Sequence, residues 1–422
     1  MARFVDKHWA PAVSGLTRRD REGCAYRAYV PDPLADRAVV LDGDVAADVA
    51  DAEAAILQLN LQPSSLASTE MIARILLRAE AVASSRIEGL AVGPRRLLRA
   101  EAAREFHTAG IHDVTAREVL GSVDAMSRAM AVADSDEPVT VDTILGIHEE
   151  LLAATPLADH AGRMREVQNW IGGSGYNPCS AAYVPPPPEH VPDLMADLAA
   201  FCNADTLPAV AQAAIAHAQF ETIHPFVDGN GRAGRALIHL VLRRRGIAPR
   251  IVPPVSLVLA TLTTDYIAGL TAFRHTGEPS SREASAGLNR WLGFFAGCCT
   301  RAVADSAEYE RRIREVQRRW RVRLETVRRN SAVDLLVEAL PGMSVVTIAG
   351  AMRPLGRSFN AIGNAMRTLE EAGVVRQITV GRRNRAFEAT EIIDAFVDLE
   401  RRLAHRAPGG SLTPSRRRAS SR

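Results

Sequence analysis

Lysine is nearly absent from this chain: Lys7 is the only one, so almost all of the 51 basic residues are arginine. Against 49 acidic residues this leaves a formal charge of +2, which by itself excludes nothing, and the arginine bias reads as genomic base composition rather than mechanism. Cysteine is scarce as well. Five are scattered over 422 residues, none in a C-x-x-C pair and two of them adjacent (Cys298, Cys299), so neither a disulfide framework nor a zinc site is expected and a reducing cytoplasm fits. The N-terminus lacks a signal-peptide pattern, and the longest apolar stretch, residues 291–300, is too short to span a bilayer. A soluble, cytoplasmic protein without a membrane partner is expected. What is present is core: 47% apolar residues in a chain longer than one ordinary domain predict a large domain and a smaller one.

Residues 1–44, with scattered prolines, glycines and aromatics, read as an extended arm. Helical patterns follow at 44–59, 68–89, 94–107, 113–132, 140–152 and 189–203, and again at 210–221, 264–274 and 286–304. Residues 63–65 (Pro-Ser-Ser) break the first of these, Ser68 is a plausible N-cap for the second, and Pro208 opens the helix at 210–221. His148 falls on an apolar helical stripe, where a structural role is the simpler reading. The fold class is mainly α.

The stretch that organises the chain is 224–235, His-Pro-Phe-Val-Asp-Gly-Asn-Gly-Arg-Ala-Gly-Arg. Gly229, Asn230 and Gly231 leave the backbone uncrowded, and the following run reads as a helix stopping at Gly246. A helix opening on glycines presents free N–H groups and a positive dipole end, a ready anion site. Arg232 and Arg235, three apart, share a face where their forks can hold further phosphate oxygens. His224 can accept a proton near neutral pH, and Asp228 can supply one hard oxygen to Mg2+. A base, a metal ligand and a polyphosphate cradle thus share one turn and helix.

These residues resemble, at every fixed position, the HPFxDGNGRxxR motif of the Fic family, which transfers AMP from ATP to hydroxyl side chains of proteins. The resemblance implies His224 as the base that deprotonates the target hydroxyl and Asp228 as the Mg2+ ligand. It places Gly229, Asn230, Gly231 and Arg232 along the phosphate site, with Arg235 on the γ-phosphate. ATP would be the substrate and a protein Ser, Thr or Tyr hydroxyl the acceptor, with self-modification as a side activity. Residues 84–89, Ser-Ser-Arg-Ile-Glu-Gly, are similar to the [ST]-x-x-x-E-[GN] segment of the family's inhibitory helix through Ser84, Glu88 and Gly89. By that resemblance Glu88 pairs with Arg235 in place of the γ-phosphate and the enzyme holds itself off. Two short apolar runs, 167–171 and 181–184, flank a Gly/Asn/Pro turn and read as a hairpin, similar to the flap with which the family clamps the modified segment.

Residues 311–329 carry nine arginines and read as a long connecting helix. Beyond it, helical patterns at 332–340, 345–352 and 358–372 and a hairpin around residues 381–385 follow a winged-helix order. Its third helix (Asn360, Asn364, Arg367) and arginine-tipped turn could meet DNA, or the whole could be a protein-interaction module. The expected organisation is an N-terminal arm and helix (1–60), a Fic catalytic domain (61–305) with inhibitory helix (68–89) and flap (165–188), a basic connecting helix (306–330), a winged-helix-like region (331–400) and a disordered tail (401–422). The expected function is an autoinhibited protein adenylyltransferase. The alternatives are a DNA-binding regulator whose Fic core senses nucleotide, and a Fic transferase using another nucleotide or a phosphocholine carrier. A homodimer that reinforces inhibition is also plausible.

Overall fold

The computed structural model describes residues 1–11, 17–35, 37, 39–61, 66–105, 113–135, 137–380 and 384–405. An antiparallel hairpin of β1 (Arg3–Trp9) and β2 (Cys24–Val30) is followed by α1 (Gly43–Leu61), α2 (Leu66–Ile87), α3 (Pro94–Glu105), α4 (Val114–Ala133) and α5 (Val141–Leu152). After a long irregular segment come α6 (Val191–Asn203), α7 (Ala209–Ile223), α8 (Asn230–Arg244), α9 (Val255–Thr261), α10 (Thr263–Phe273) and α11 (Arg282–Arg323). The C-terminal region runs α12 (Ala332–Ala339), β3 (Val345–Val346), α13 (Ile348–Leu355), α14 (Phe359–Glu371), β4 (Arg376–Val380), β5 (Asn384–Glu388) and α15 (Thr390–His405), its strands forming an antiparallel sheet in the order β3-β5-β4.

Helix α7 is the axis of the larger core. Its alanines let neighbouring backbones approach, so every residue from Ala209 to Ile223 is buried, and Trp291 of α11 reaches across to donate its indole N–H to Ala214 O at 2.9 Å. The ends of the surrounding helices are set locally. Asp113 caps α4 by accepting from Ala116 N, and Thr140 with Thr143 forms a reciprocal capping box on α5. Where α4 crosses α5, a Cβ on Gly121 would lie 2.5 Å from the Leu151 carbonyl oxygen, so the helices can touch there only through a glycine. A second core joins the outer face of α2 (Met71, Ile75, Leu76) to the distal half of α11 (Ile313, Trp320) and to the C-terminal region.

Several expectations are corrected. Residues 286–304 and 306–330 do not form separate helices, because α11 continues through the boundary as a single 42-residue element. Its apolar positions pass from one core to the other without a break, and the arginines pair along it with Glu310, Glu315 and Glu391. The N-terminal arm is a β-hairpin, and the segment around 165–188 is not: it is an irregular loop with one bridge, Ile171 to Tyr183. The loop leans on the hairpin instead, since Tyr29 N–H donates to Val184 O at 2.9 Å and Cys24 is disulfide-bonded to Cys179. No disulfide is expected from cysteine spacing, and cysteines 155 positions apart give no local signal, so the cysteine count no longer argues for a reducing compartment.

Residues 345–346 are strand rather than helix, α8 starts at Asn230, and the helix α15 reaches His405 into the expected tail. Residues 406–422, the 381–383 turn, the 63–65 break and the side chain of Ser68 lie outside the described residues. Among the described residues no single helix is long and apolar enough to cross a membrane. The glycine crossing predicts that Gly121→Ala lowers stability by about 1–3 kcal/mol through overpacking. It would be read as a reduced urea midpoint at unchanged slope, and an unchanged midpoint would show that the crossing has slack.

Candidate functional site

The site is built where α7 stops and α8 starts. His224 ends α7 in the left-handed region (φ 50°, ψ 61°), its N–H still donating to Phe220 O at 2.9 Å. A non-glycine residue holds that conformation at a cost of about 1–3 kcal/mol unless its surroundings fix it. Arg165 and Asn169 do so: Arg165 Nε donates to His224 O at 2.9 Å and Asn169 Nδ2 at 3.2 Å, while Arg165 also donates to the carbonyls of Val167 and Pro186. One buried guanidinium therefore ties the 165–188 loop to the histidine. Burial lowers it to about 10, which leaves it charged.

The turn from Pro225 to Gly229 is closed from inside. Asn230 Oδ1 accepts from Phe226 N and its Nδ2 donates to Phe226 O, both at 2.8 Å. Both ends of this side chain are spent on the loop, so what it offers an anion at the helix end is its backbone N–H. His148 stacks on Phe226 with ring centroids 3.6 Å apart; its Nδ1 accepts from Gly162 N, so its Nε2–H donates to Asp228 O at 3.0 Å. Burial lowers His148 to about 4, so it is a neutral brace of the loop, as its helical position implies. Gly229 (φ 79°) then starts α8 in a conformation that favours glycine.

At the N-terminus of α8, where an anion site is expected, stands a carboxylate. A Cβ on Gly231 would lie 1.8 Å from Glu88 Oε1, so the missing side chain is what admits that carboxyl over the helix end. Arg235, only 1% exposed, donates from Nη2 to Glu88 Oε1 and to Ser84 O, and from Nε to Ser84 Oγ, all at 2.8 Å. Burial raises Glu88, but the charge and hydrogen bond of Arg235, with Arg232 and His224 beside it, outweigh this and hold it below the usual carboxylate range. Gly89 (φ 81°) turns the chain out of α2 immediately afterwards. Asp228 is half exposed and paired with Arg232 Nη2 at 2.8 Å, while Arg232 Nε and Nη1 are buried cationic donors without a hydrogen-bond partner.

His224, Gly231 and Arg235 thus line, with Glu88 and Glu221, a cleft of about 1350 Å³; Ser84 is bonded to Arg235 and Asp228 to Arg232 beside them. Burial lowers His224 to about 4 against an upward pull from Glu88, so the imidazole is neutral and free to accept a proton at pH 7. Sequence reading missed Glu221. Its Oε2 lies 3.8 Å from His224 Nδ1, and its Oε1 is buried without a partner. Burial raises Glu221 to about 7, Arg235 opposing and Glu88 reinforcing the shift. The E-x-x-H spacing, three residues along one helix face, was the available signal.

Comparison with known proteins agrees with a fold of this kind. Residues 138–242 match the model of the Fic/DOC family, and residues 46–131 match that of the Fic/DOC family N-terminal region. These two stretches are what the chain shares with the Fic/DOC family. Protein adenylyltransferase fic-1 of Caenorhabditis elegans is 29% identical over 183 residues, 42% of this chain and 34% of the relative. Protein adenylyltransferase Fic of Drosophila melanogaster is 34% identical over 139 residues, 32% of this chain and 26% of the relative. The chain therefore spans only about a third of the length of these curated relatives. A crystal structure of a Fic family protein from Desulfovibrio desulfuricans G20 shares the fold at 22% identity and a TM-score of 0.50, covering 85% of this chain and 98% of that one.

The raised Glu221 carries a stability consequence. A carboxyl lifted from about 4.3 in the unfolded chain to about 7 favours the fold below its unfolded value, and that contribution is lost as pH rises through 7. Glu221→Gln cannot ionise, so relative to wild type it gains on the order of 2–3 kcal/mol between about pH 5 and pH 9. Paired thermal melts at the two pH values test this; a gap between the proteins that does not move would show that Glu221 does not titrate in this window.

Proposed function

We propose that the protein is a protein adenylyltransferase, transferring AMP from ATP to a hydroxyl side chain of a protein and held off by Glu88. The observation that carries the reading is the carboxylate seated between Gly231 and Arg235, with a neutral histidine on the same wall. A carboxylate on a helix N-terminus and a buried arginine marks a place made for an anion, and the unpartnered nitrogens of Arg232 extend it. The names of the curated relatives agree with this reading.

The reaction follows from the positions. His224 takes the proton of the acceptor hydroxyl, the oxygen forms a bond to the α-phosphorus, and the bond from that phosphorus to the bridging oxygen breaks, releasing pyrophosphate. Arg232 and the N–H groups opening α8 neutralise charge on the phosphates; Arg235 takes the γ-phosphate once Glu88 withdraws. Asp228 fits a magnesium ion: its carboxylate is half exposed beside Arg232 and can offer a hard oxygen to a cation that takes most of its ligands from phosphate and water. Bound there, Mg2+ would supply charge neutralisation to the polyphosphate. The 165–188 loop would hold the acceptor segment beside His224, to which Arg165 and Asn169 bind it.

The C-terminal region we read as a winged helix, since α12, α13 and α14 with the β3-β5-β4 sheet follow that order. The test of the enzymatic reading is transfer of label from α-labelled ATP with magnesium, the protein itself serving as acceptor. Weak labelling of wild type, labelling of Glu88→Gly raised by roughly tenfold or more, and none in Glu88→Gly with His224→Ala are expected. A Glu88→Gly protein that binds ATP yet stays unlabelled would refute the reading and point to another donor.

A further inference from the structure

We propose that the C-terminal region is the control surface of this site: double-stranded DNA docks on α14, and its binding is coupled to release of Glu88 through α2. The inference rests on the inhibitory reading of Glu88.

Helix α2 is a wall shared by two bodies of structure. On its inner side Glu80 is fully buried, pairs with His239 Nε2 at 2.7 Å and accepts from Ser256 N at 2.7 Å, inside the larger core. On its outer side Met71, Ile75 and Leu76 share an apolar core with Leu336, Leu340 and Met366 of the C-terminal region. Arg78 donates from Nη1 to Gly342 O at 2.6 Å, and a Cβ on Gly342 would come within 2.9 Å of Met71. Helix α3, which follows the Glu88-Gly89 turn, is held by the same region. The fully buried Glu388 of β5 lies 3.4 Å from Arg95 and 3.3 Å from Arg99, and Asp394 takes Arg95 at 3.0 Å. Both helices flanking Glu88 are thus gripped from the C-terminal side.

The grip is not tight along its length. Clefts of about 780 and 820 Å³ flank the first half of α2, sharing Glu70 and Arg74 as a common wall, so this helix has room to shift. A ligand can move such an equilibrium only by binding one arrangement better than the other. The C-terminal region supplies that link, because displacing it relative to α2 breaks the Arg78 and Glu388 contacts that keep Glu88 against Arg235.

The surface available to a ligand is the outer face of α14. Asn360 and Asn364, one turn apart, are exposed together with Arg367, and Phe359 is 55% exposed at the start of the helix. Arg353 is exposed and Arg357 half exposed beside it, and no carboxylate occurs anywhere from residue 339 to 369. Amide side chains that read base edges, with arginines for phosphates and the only acids of the helix, Glu370 and Glu371, confined to its last turn, complement a DNA duplex.

The test uses the full chain with a mixed-sequence DNA duplex, in wild type and Glu88→Gly. The duplex is expected to bind in a salt-dependent way and more weakly to Asn360→Ala with Arg367→Ala. It should raise self-labelling of wild type several-fold, leave Glu88→Gly unchanged, and speed hydrogen exchange at the Glu88 and Gly89 amides. Glu388→Gln should raise the wild-type rate without DNA and add nothing in Glu88→Gly. Absence of duplex binding overturns the partner, whether or not RNA or a protein binds the same face. Binding without faster exchange overturns the coupling, and equal stimulation of Glu88→Gly shows that the duplex acts elsewhere. Exchange is read independently of transfer, so an unlabelled Glu88→Gly counts against the enzymatic reading and leaves this one still decided.

Discussion

A fully buried guanidinium is the constraint around which the molecule is arranged. Leaving Arg235 unpaired away from water would cost several kcal/mol, so the fold must bring an acceptor to it. The acceptors come from α2, far away in sequence: Ser84 offers its hydroxyl and carbonyl, and Glu88 its charge. That demand explains why α2 is fixed to the larger core by Glu80, and why position 231 carries no side chain. The result is an anion site whose charge is balanced in the absence of any ligand.

Much of this site was legible because its chemistry is local. Residues 224–235 hold the base, the hard oxygen and both arginines within one turn and helix, and short-range spacing determines which of them share a face. Glu88 was readable through Ser84 four residues before it, although its contact with Arg235 spans 147 positions. Other parts of the structure were misread or missed. Asn230 looks like a phosphate ligand by type, and only its two bonds to Phe226 show that it serves the loop. Arg165 and Glu221 act through burial, which composition does not reveal. Cys24 with Cys179, and Tyr29 with Val184, are contacts between distant segments, and they replace the hairpin that alternation in 167–184 suggested.

The helical architecture was legible for the same reason, with failures where tertiary packing overrides local pattern. Alanine-rich α7 was readable from composition, and its complete burial follows from the small size of those side chains. The change to a basic surface near residue 306 suggested a boundary, yet polarity on the outer face says nothing about the inner one. There Tyr309, Ile313, Val316 and Trp320 carry the apolar stripe onward, so a single helix joins both cores.

On the proposed reading, inhibition and stability at Arg235 are one interaction. Withdrawal of Glu88 alone would strand a buried cation with Ser84 as its remaining partner, an expensive state, whereas arrival of a γ-phosphate restores the charge in the same place. The transition is therefore an exchange of anions rather than the breaking of a bond, and its equilibrium depends on how firmly α2 is seated as much as on affinity for nucleotide. Glu221 lies inside the same field. Burial, reinforced by Glu88, raises its carboxyl to about 7, so near neutrality the region beside His224 carries less than a second full negative charge. A site proposed to hold a polyphosphate tolerates a buried carboxyl more readily the less that carboxyl is ionised, and burial between α7 and α8 shifts Glu221 in that direction.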